Sequence, residues 1–231
     1  LFWIGCAGSF DQRAQKITKA FVTILDKVGI NYAILGKEEM CTGDPARRAG
    51  NEFLFQMMAY QNIQTLSNYN IKKIVTTCPH CFNIFKNEYP ALGGKFKVQH
   101  YSEVLAELIK KKKIKLKAYP VKITYHDPCY LGRHQQIYSA PREILKAIPK
   151  AEFVEMHRHG ANAFCCGGGG GNFFTDILGT AESSASRVRV REAAETGANI
   201  LAVSCPNCAK MLSDAVKMEH LEDRMEVLNL A

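Results

Sequence analysis

Cys78-Pro79-His80-Cys81 and Cys205-Pro206-Asn207-Cys208 stand 127 residues apart, and each follows directly on a short apolar run, 73–77 and 199–204. A strand that ends in Cys-Pro-x-Cys has few continuations. Proline lacks an N–H and is tolerated in the first turn of a helix, so each tetrad reads as a strand-to-helix corner with its thiols near the helix start. The first half begins with an apolar strand, 1–5, then Cys6. A helix follows with one apolar face at Ile17, Ala20, Phe21, Ile24, Leu25 and Val28, capped by Gly29. A second strand at 31–35, a long helix at 46–66 and the strand 73–77 complete the half. The second half repeats the plan: a strand at 121–125, His126-Asp127-Pro128-Cys129, a helix from Pro141, a strand at 152–155, a helix at 181–195 and the strand 199–204. Strands alternating with helices predict an α/β chain of two pseudo-duplicated Rossmann-like domains with parallel sheets, the cysteines at the strands' carboxyl ends. The lysine-rich stretch and Pro120 mark the boundary, giving domains 1–117 and 118–231.

The cysteines align the halves. Cys6 maps to Cys129, Cys41 to Cys166, and Cys78 and Cys81 to Cys205 and Cys208, at offsets of 123, 125 and 127. Nine cysteines is an odd number in a chain of 231 residues with no signal-peptide pattern, which argues against a secreted disulfide framework and for metal in a reducing compartment. No apolar run approaches the ~20 residues of a membrane span. The chain opens at Leu1 rather than at a methionine, which points to an incomplete start. Part of the net charge of +8 sits at Lys110–Lys113, Lys115 and Lys117. Such a run is usually a solvated face or linker, the alternative being docking to an acidic protein or anionic membrane surface. Aromatics do not interleave with it, so nucleic acid is not the expected partner.

Ligand sites in open parallel sheets form at the carboxyl ends of strands, where helix N-termini lower thiolate pKa values and favour an anionic cluster. That argument places metal at the rim without choosing it. The adjacent pair Cys165-Cys166 is more selective: zinc sites are usually built from two Cys-x-x-Cys knuckles, and five thiolates exceed zinc's four positions. The run 167–171, all glycine, allows close approach of backbone to a bulky inorganic centre, though a glycine run can also be a linker.

Cys129, Cys165-Cys166-Gly167 and Cys205-x-x-Cys208 together resemble the cysteine-rich CCG domain of heterodisulfide reductase B and D subunits and of iron–sulfur subunits of glycolate, lactate and anaerobic glycerol-3-phosphate oxidation. The resemblance covers essentially the whole chain. The segments Cys41-Thr42-Gly43-Asp44-Pro45-Ala46-Arg47-Arg48 and His126-Asp127-Pro128-Cys129-Tyr130-Leu131-Gly132 are most similar to the branch linked to electron-transfer flavoprotein and menaquinone. The resemblance implies a noncubane [4Fe-4S] cluster on Cys129, Cys165, Cys166, Cys205 and Cys208, these also being the catalytic residues, with Gly167, Gly168 and His126 contributing to cofactor binding. In the first half Met40 occupies the place matched to Cys165, leaving Cys6, Cys41, Cys78 and Cys81 for a [4Fe-4S] cluster or zinc. It further implies an oxidoreductase subunit relaying electrons between a flavoprotein donor and a quinone-linked or disulfide acceptor, in a complex with other iron–sulfur or membrane subunits. The implied location is cytoplasmic, with attachment to the cytoplasmic face of the membrane through those subunits. Family members often carry a ferredoxin-like domain upstream. The rivals are a zinc-stabilised scaffold and a thiol–disulfide enzyme using Cys205 and Cys208.

Beside the cysteines, His126 and Asp127 are placed either to hydrogen-bond a cluster or thiol, or to close a strand-end turn. His80 is expected to face solvent, as are His157 and His159. Arg47 and Arg48 either meet an anionic partner or pair with Asp44, and Met57 and Met58 are expected in the core.

Overall fold

The computed structural model describes residues 1–169, 171–175 and 181–231. Contacts divide it into two compact units, 1–101 with Ala231, and 102–230. In the first, strands β1 (Phe2–Trp3), β2 (Lys73–Thr76) and β3 (Lys97–His100) form a parallel sheet in that order, with Phe2 opposite Val75 and Ile74 opposite Val98. Around it lie α1 (Gly5–Phe10), α2 (Gln12–Lys27), α3 (Asp44–Arg48), α4 (Glu52–Asn68) and α5 (Pro79–Asn83). Helix α2 starts where the Asp11 carboxylate accepts from the Arg13 and Ala14 amides. It ends where Gly29, at φ +68°, lets Ile30 N–H reach Leu25 O and Gly29 N–H reach Asp26 O. Ala14, Ile17, Phe21 and Leu25 form its buried face, as the periodicity predicts. The core gathers Trp3, Phe55, Leu66, Ile74, Phe85 and Tyr89, with Phe85 edge-on to Trp3 at 4.7 Å.

Two expectations in this unit are corrected, and one strand is added. The helix expected at 46–66 is two helices: Gly50 adopts φ +85°, and Asn51 then caps α4 by accepting from Leu54 N–H. Residues 31–35 are not a strand. Phe2 N–H donates to Ala33 O, but Ile34 is half exposed and no ladder continues, because the segment has no buried face to hold a register. Strand β3, which the sequence reading misses, mixes lysine and glutamine with valine at the edge of the sheet.

Helix α6 (Tyr101–Lys110) begins at the boundary, and the basic run after it is exposed, Lys111 pairing with Glu107. In the second unit β4 (Lys122–Tyr125), β5 (Glu152–Phe153), β6 (Ile200–Val203) and β7 (Glu226–Asn229) make a parallel sheet of order β5-β4-β6-β7. Helices α7 (Ser139–Lys146), α8 (Asn172–Thr175), α9 (Ala185–Glu195) and α10 (Pro206–Met218) complete it. All four residues of β6 are apolar and buried, the signature of a central parallel strand. The helix expected from 181 starts at Ala185, after a turn closed by Ser184 N–H to Ala181 O, and β7 is a further edge strand the sequence reading misses. From β4 the chain moves to β5 on one side and later to β6 on the other. The carboxyl ends of β4 and β6 therefore flank a topological switch point, the usual ligand crevice of open α/β sheets.

Candidate metal centre

Cys129 follows β4 and Cys205 follows β6, so they occupy the two lips of that switch point. Cys205 is the N-terminal flanking residue of α10, with Pro206 at its first position, and Cys208 lies in the first turn. Cys165 and Cys166 arrive from the long segment between β5 and α9. The Cys166 and Cys208 sulfurs lie 3.2 Å apart, and Gly167 N–H donates to Cys165 Sγ over 3.2 Å. Thiol hydrogen bonds link Cys129 to Cys165, Cys165 to Cys166 and Cys205 to Cys208. No disulfide links the cysteines among the described residues. All five expected thiols of this half are therefore brought together.

Their protonation is unequal. Hydrogen bonds from Cys129 and Cys166, with the Gly167 amide, overcome burial and pull Cys165 down to about 2. Cys129 is pushed up by its bond to Cys165 and by burial, and Cys208 by its bonds to Cys166 and Cys205 and by burial. Packed sulfurs share one negative charge readily and five only with a cation among them. Gly168 is a cradle: a Cβ there would stand 2.9 Å from Met211 Cγ and 3.6 Å from Cys166 Sγ. Gly167 holds φ +78°, while Gly170 lies outside the described residues. His126 is buried, and a ring nitrogen groups with Cys166 and Cys208 within 4.8 Å. Burial and the adjacent Arg189 guanidinium bring its pKa down to about 3. Asp127 accepts both guanidinium arms of Arg142 at 2.7 and 2.8 Å and the Gly160 amide at 2.8 Å.

In the first unit Cys6, Cys41, Cys78 and Cys81 also converge. Hydrogen bonds link Cys6 to Cys41 and Cys78 to Cys81, and each of Cys6, Cys41 and Cys78 is close enough to act on Cys81. The bond from Cys6 draws Cys41 down to about 7. Gly5, unnoticed in the sequence, stands at φ +77° with its Cβ position 3.2 Å from Cys81 Sγ, so a side chain there would be strained and would press on the cysteine. Glu39 anchors that corner by accepting from the Ile4 and Gly5 amides, and burial pushes it up to about 7.

The geometry corrects the correspondence between the halves. Gly43 N–H donates to Cys41 Sγ as Gly167 N–H does to Cys165 Sγ, and both glycines have a strongly positive φ. Each of these cysteines also bonds the first cysteine of its unit. Cys41 is thus the counterpart of Cys165, not of Cys166. Thr42 stands where Cys166 does, its Oγ1 donating to Cys81 Sγ at 3.8 Å as Cys166 meets Cys208. Gly43 is strongly constrained: φ is +88° and a Cβ would lie 2.8 Å from Phe55 Cδ2 and 3.3 Å from its Cα. Gly43→Ala should lower the stability of this unit by about 2–4 kcal/mol, from left-handed strain plus overpacking. A urea midpoint within error of the wild type would contradict this.

His80 does not face solvent. It is buried with Nδ1 2.9 Å from Asp44 Oδ2, a partner 36 residues away. Burial works against charge on Asp44, yet His80 and Arg48 outweigh it and hold the carboxyl below its usual range. Arg48 pairs with Asp44 and Glu88, and Arg47 with Glu52 and Glu88 while lying over Phe55. The expected pair with Asp44 is thus made by Arg48 alone, while Arg47 turns to Glu52 and Glu88. Met57 is half exposed, not core, because α4 turns that side outward with Phe53. His157 and His159 are exposed, as expected.

A family model described as "Cysteine-rich domain" (CCG) matches residues 1–86 and 123–213. The chain belongs to the CCG cysteine-rich domain family. Its relatives include the probable iron-sulfur-binding oxidoreductase FadF of Bacillus subtilis, 43% identical over all of this chain and 32% of that protein. They also include the EtfAB:quinone oxidoreductase of Syntrophomonas wolfei, 38% identical over all of this chain and 33% of that one. The D subunit of the dihydromethanophenazine:CoB–CoM heterodisulfide reductase of Methanosarcina barkeri is 39% identical over 93% of this chain and 53% of its own length. The chain spans about a third of the first two relatives and half of the third. No helix among the described residues is long and apolar enough to cross a membrane.

Proposed function

We propose that this chain is the iron–sulfur part of an electron-transferring oxidoreductase, built as two cysteine-rich domains, 1–117 and 118–231. The carrying observation is the convergence of five cysteines from three separate segments at the switch point between β4 and β6. Cys129, Cys165, Cys166, Cys205 and Cys208 would hold a noncubane [4Fe-4S] cluster. When bound, such a cluster accepts and gives up single electrons. The residues fit it: the packed thiols require a compensating cation, Gly168 puts no side chain beside Cys166, and a buried nitrogen of His126, Nε2, has no partner among the described residues. Cys6, Cys41, Cys78 and Cys81 would hold a four-ligand centre, a [4Fe-4S] cluster or zinc.

The activities named for the relatives favour a flavoprotein or electron-transfer flavoprotein as donor and a quinone-linked or disulfide acceptor, within a complex of further iron–sulfur or membrane subunits. Clustered cysteines without disulfides favour a reducing, cytoplasmic setting, reached at a membrane through such partners. A thiol–disulfide enzyme on Cys205 and Cys208 is less well supported, since it leaves Cys129, Cys165 and Cys166, packed beside that pair, without a role.

Anaerobically purified protein should contain about four iron and four sulfide per chain from the second unit, and about eight of each if the first is also loaded with a cluster. Cys166→Ser should abolish the second unit's share and its electron paramagnetic resonance signal. Zinc without iron in protein never exposed to air would overturn the electron-transfer reading.

A further inference from the structure

His126 lies between β4 and Cys129, its backbone N–H donating to Ala202 O of β6 at 2.9 Å. Its ring is therefore set at the switch point, in the group with Cys166 and Cys208. Spacing alone would make it a sixth ligand. Its other neighbour argues the opposite.

Arg189 of α9 has no solvent exposure. Its Nε donates to His126 Nδ1 at 3.1 Å, and Nη1 donates to Arg158 O at 2.7 Å and to Glu192 Oε2 at 3.0 Å. A guanidinium has donors and no acceptor. Nδ1 must therefore accept, which puts the ring proton on Nε2. That nitrogen is buried and has no partner among the described residues. A metal-binding histidine normally donates its second N–H to a carboxylate or carbonyl, which frees the other nitrogen's lone pair for the metal. With an arginine in that place the pattern is inverted: one lone pair is taken and the other nitrogen is protonated.

We propose that His126 serves the thiol centre as an N–H donor to sulfur, not as a metal ligand, and that Arg189 is the positioning residue that fixes this tautomer. The inference deepens the iron–sulfur reading and rests on it for its redox consequence. A donor to sulfur stabilises the added electron, so it raises the reduction potential. Asp127, one residue on, is committed to Arg142 and Gly160 and does not compete for the ring.

Two readouts test this. Long-range proton–nitrogen NMR of histidine-labelled, reduced, metal-free protein should show His126 protonated on Nε2 alone. The Nδ1 tautomer would overturn the proposal. In iron-loaded protein, His126→Leu and Arg189→Met should keep the iron and lower the midpoint potential, with Arg189→Lys, which retains a donor, nearer the wild type. Unchanged potentials in both, or a directly bonded nitrogen coupling in pulsed electron paramagnetic resonance of the labelled wild type, would also overturn it. If Arg189→Met fails to fold, the wild-type NMR and pulsed measurements decide. A sample without iron would strike the iron–sulfur reading and leave the tautomer result standing.

Discussion

Thr42→Cys should give the first unit the fifth thiol that the second already has. Thr42 is buried, and its hydroxyl stands against Cys81 as Cys166 stands against Cys208. Both neighbours keep their places on either side: Cys41 is already bonded to Cys6 and to the Gly43 amide, as Cys165 is to Cys129 and Gly167. The exchange of hydroxyl and methyl for one sulfur is close in volume, so folding should change by less than about 1.5 kcal/mol. The variant should carry two five-thiol centres per chain instead of one, and the paramagnetic signal assigned to that centre should double. Met40→Cys is the matched control. It also adds one thiol beside Cys41, but at a position that the glycine N–H pairing leaves without a counterpart, and it should change neither iron content nor spectrum. A spectrum unaltered in Thr42→Cys, or doubled in Met40→Cys, would refute the correspondence drawn from Gly43 and Gly167.

Why sequence spacing pairs the wrong residues is instructive. Offsets between the halves drift from 123 to 127, so either Cys165 or Cys166 can be set against Cys41. The bond from the glycine two residues later, which depends on a positive φ, distinguishes them, together with the contacts of Cys41 to Cys6 and of Thr42 to Cys81. The strand-to-helix corners, by contrast, are read directly, since Cys-Pro-x-Cys after an apolar run leaves the chain little choice. Helix α2 is equally plain, its buried face and its glycine stop both being local. What escapes is non-local or marginal. His80 is buried by an aspartate 36 residues upstream. Arg189 sits in Arg187-Val188-Arg189-Val190-Arg191, where Arg187 and Arg191 turn outward to Glu219 and only the middle arginine turns in. Nothing in that alternation marks it. Strands β3 and β7 are edge strands of mixed polarity, so pattern alone cannot secure them, whereas β5, only two residues long, falls inside the expected 152–155.

Arg142→Met should destabilise the second unit by about 3 kcal/mol, the lower end of the range for removing one partner of a buried ion pair. Arg142 joins both Asp127 oxygens and both Glu155 oxygens, and it also donates to Tyr138 O. The Asp127 side chain is only 3% exposed, whereas Glu155 retains 29%. Glu155 can thus recover water when the arginine is lost, while Asp127 keeps only the Gly160 amide as compensation, and these two facts set the magnitude. Burial opposes the guanidinium charge, but the two carboxylates outweigh it and raise its pKa. A fall in thermal midpoint on the order of 10 °C follows for a unit of this size. Because Asp127 ties Gly160 to the turn that bears Cys129, the loss should also loosen that thiol and speed release of metal to a chelator. Asp127→Asn in the Arg142→Met background should recover part of the stability, since it removes the stranded charge. If Arg142→Met left the midpoint unchanged, the network would be no more than a surface pair and its link to the Cys129 turn would fall with it.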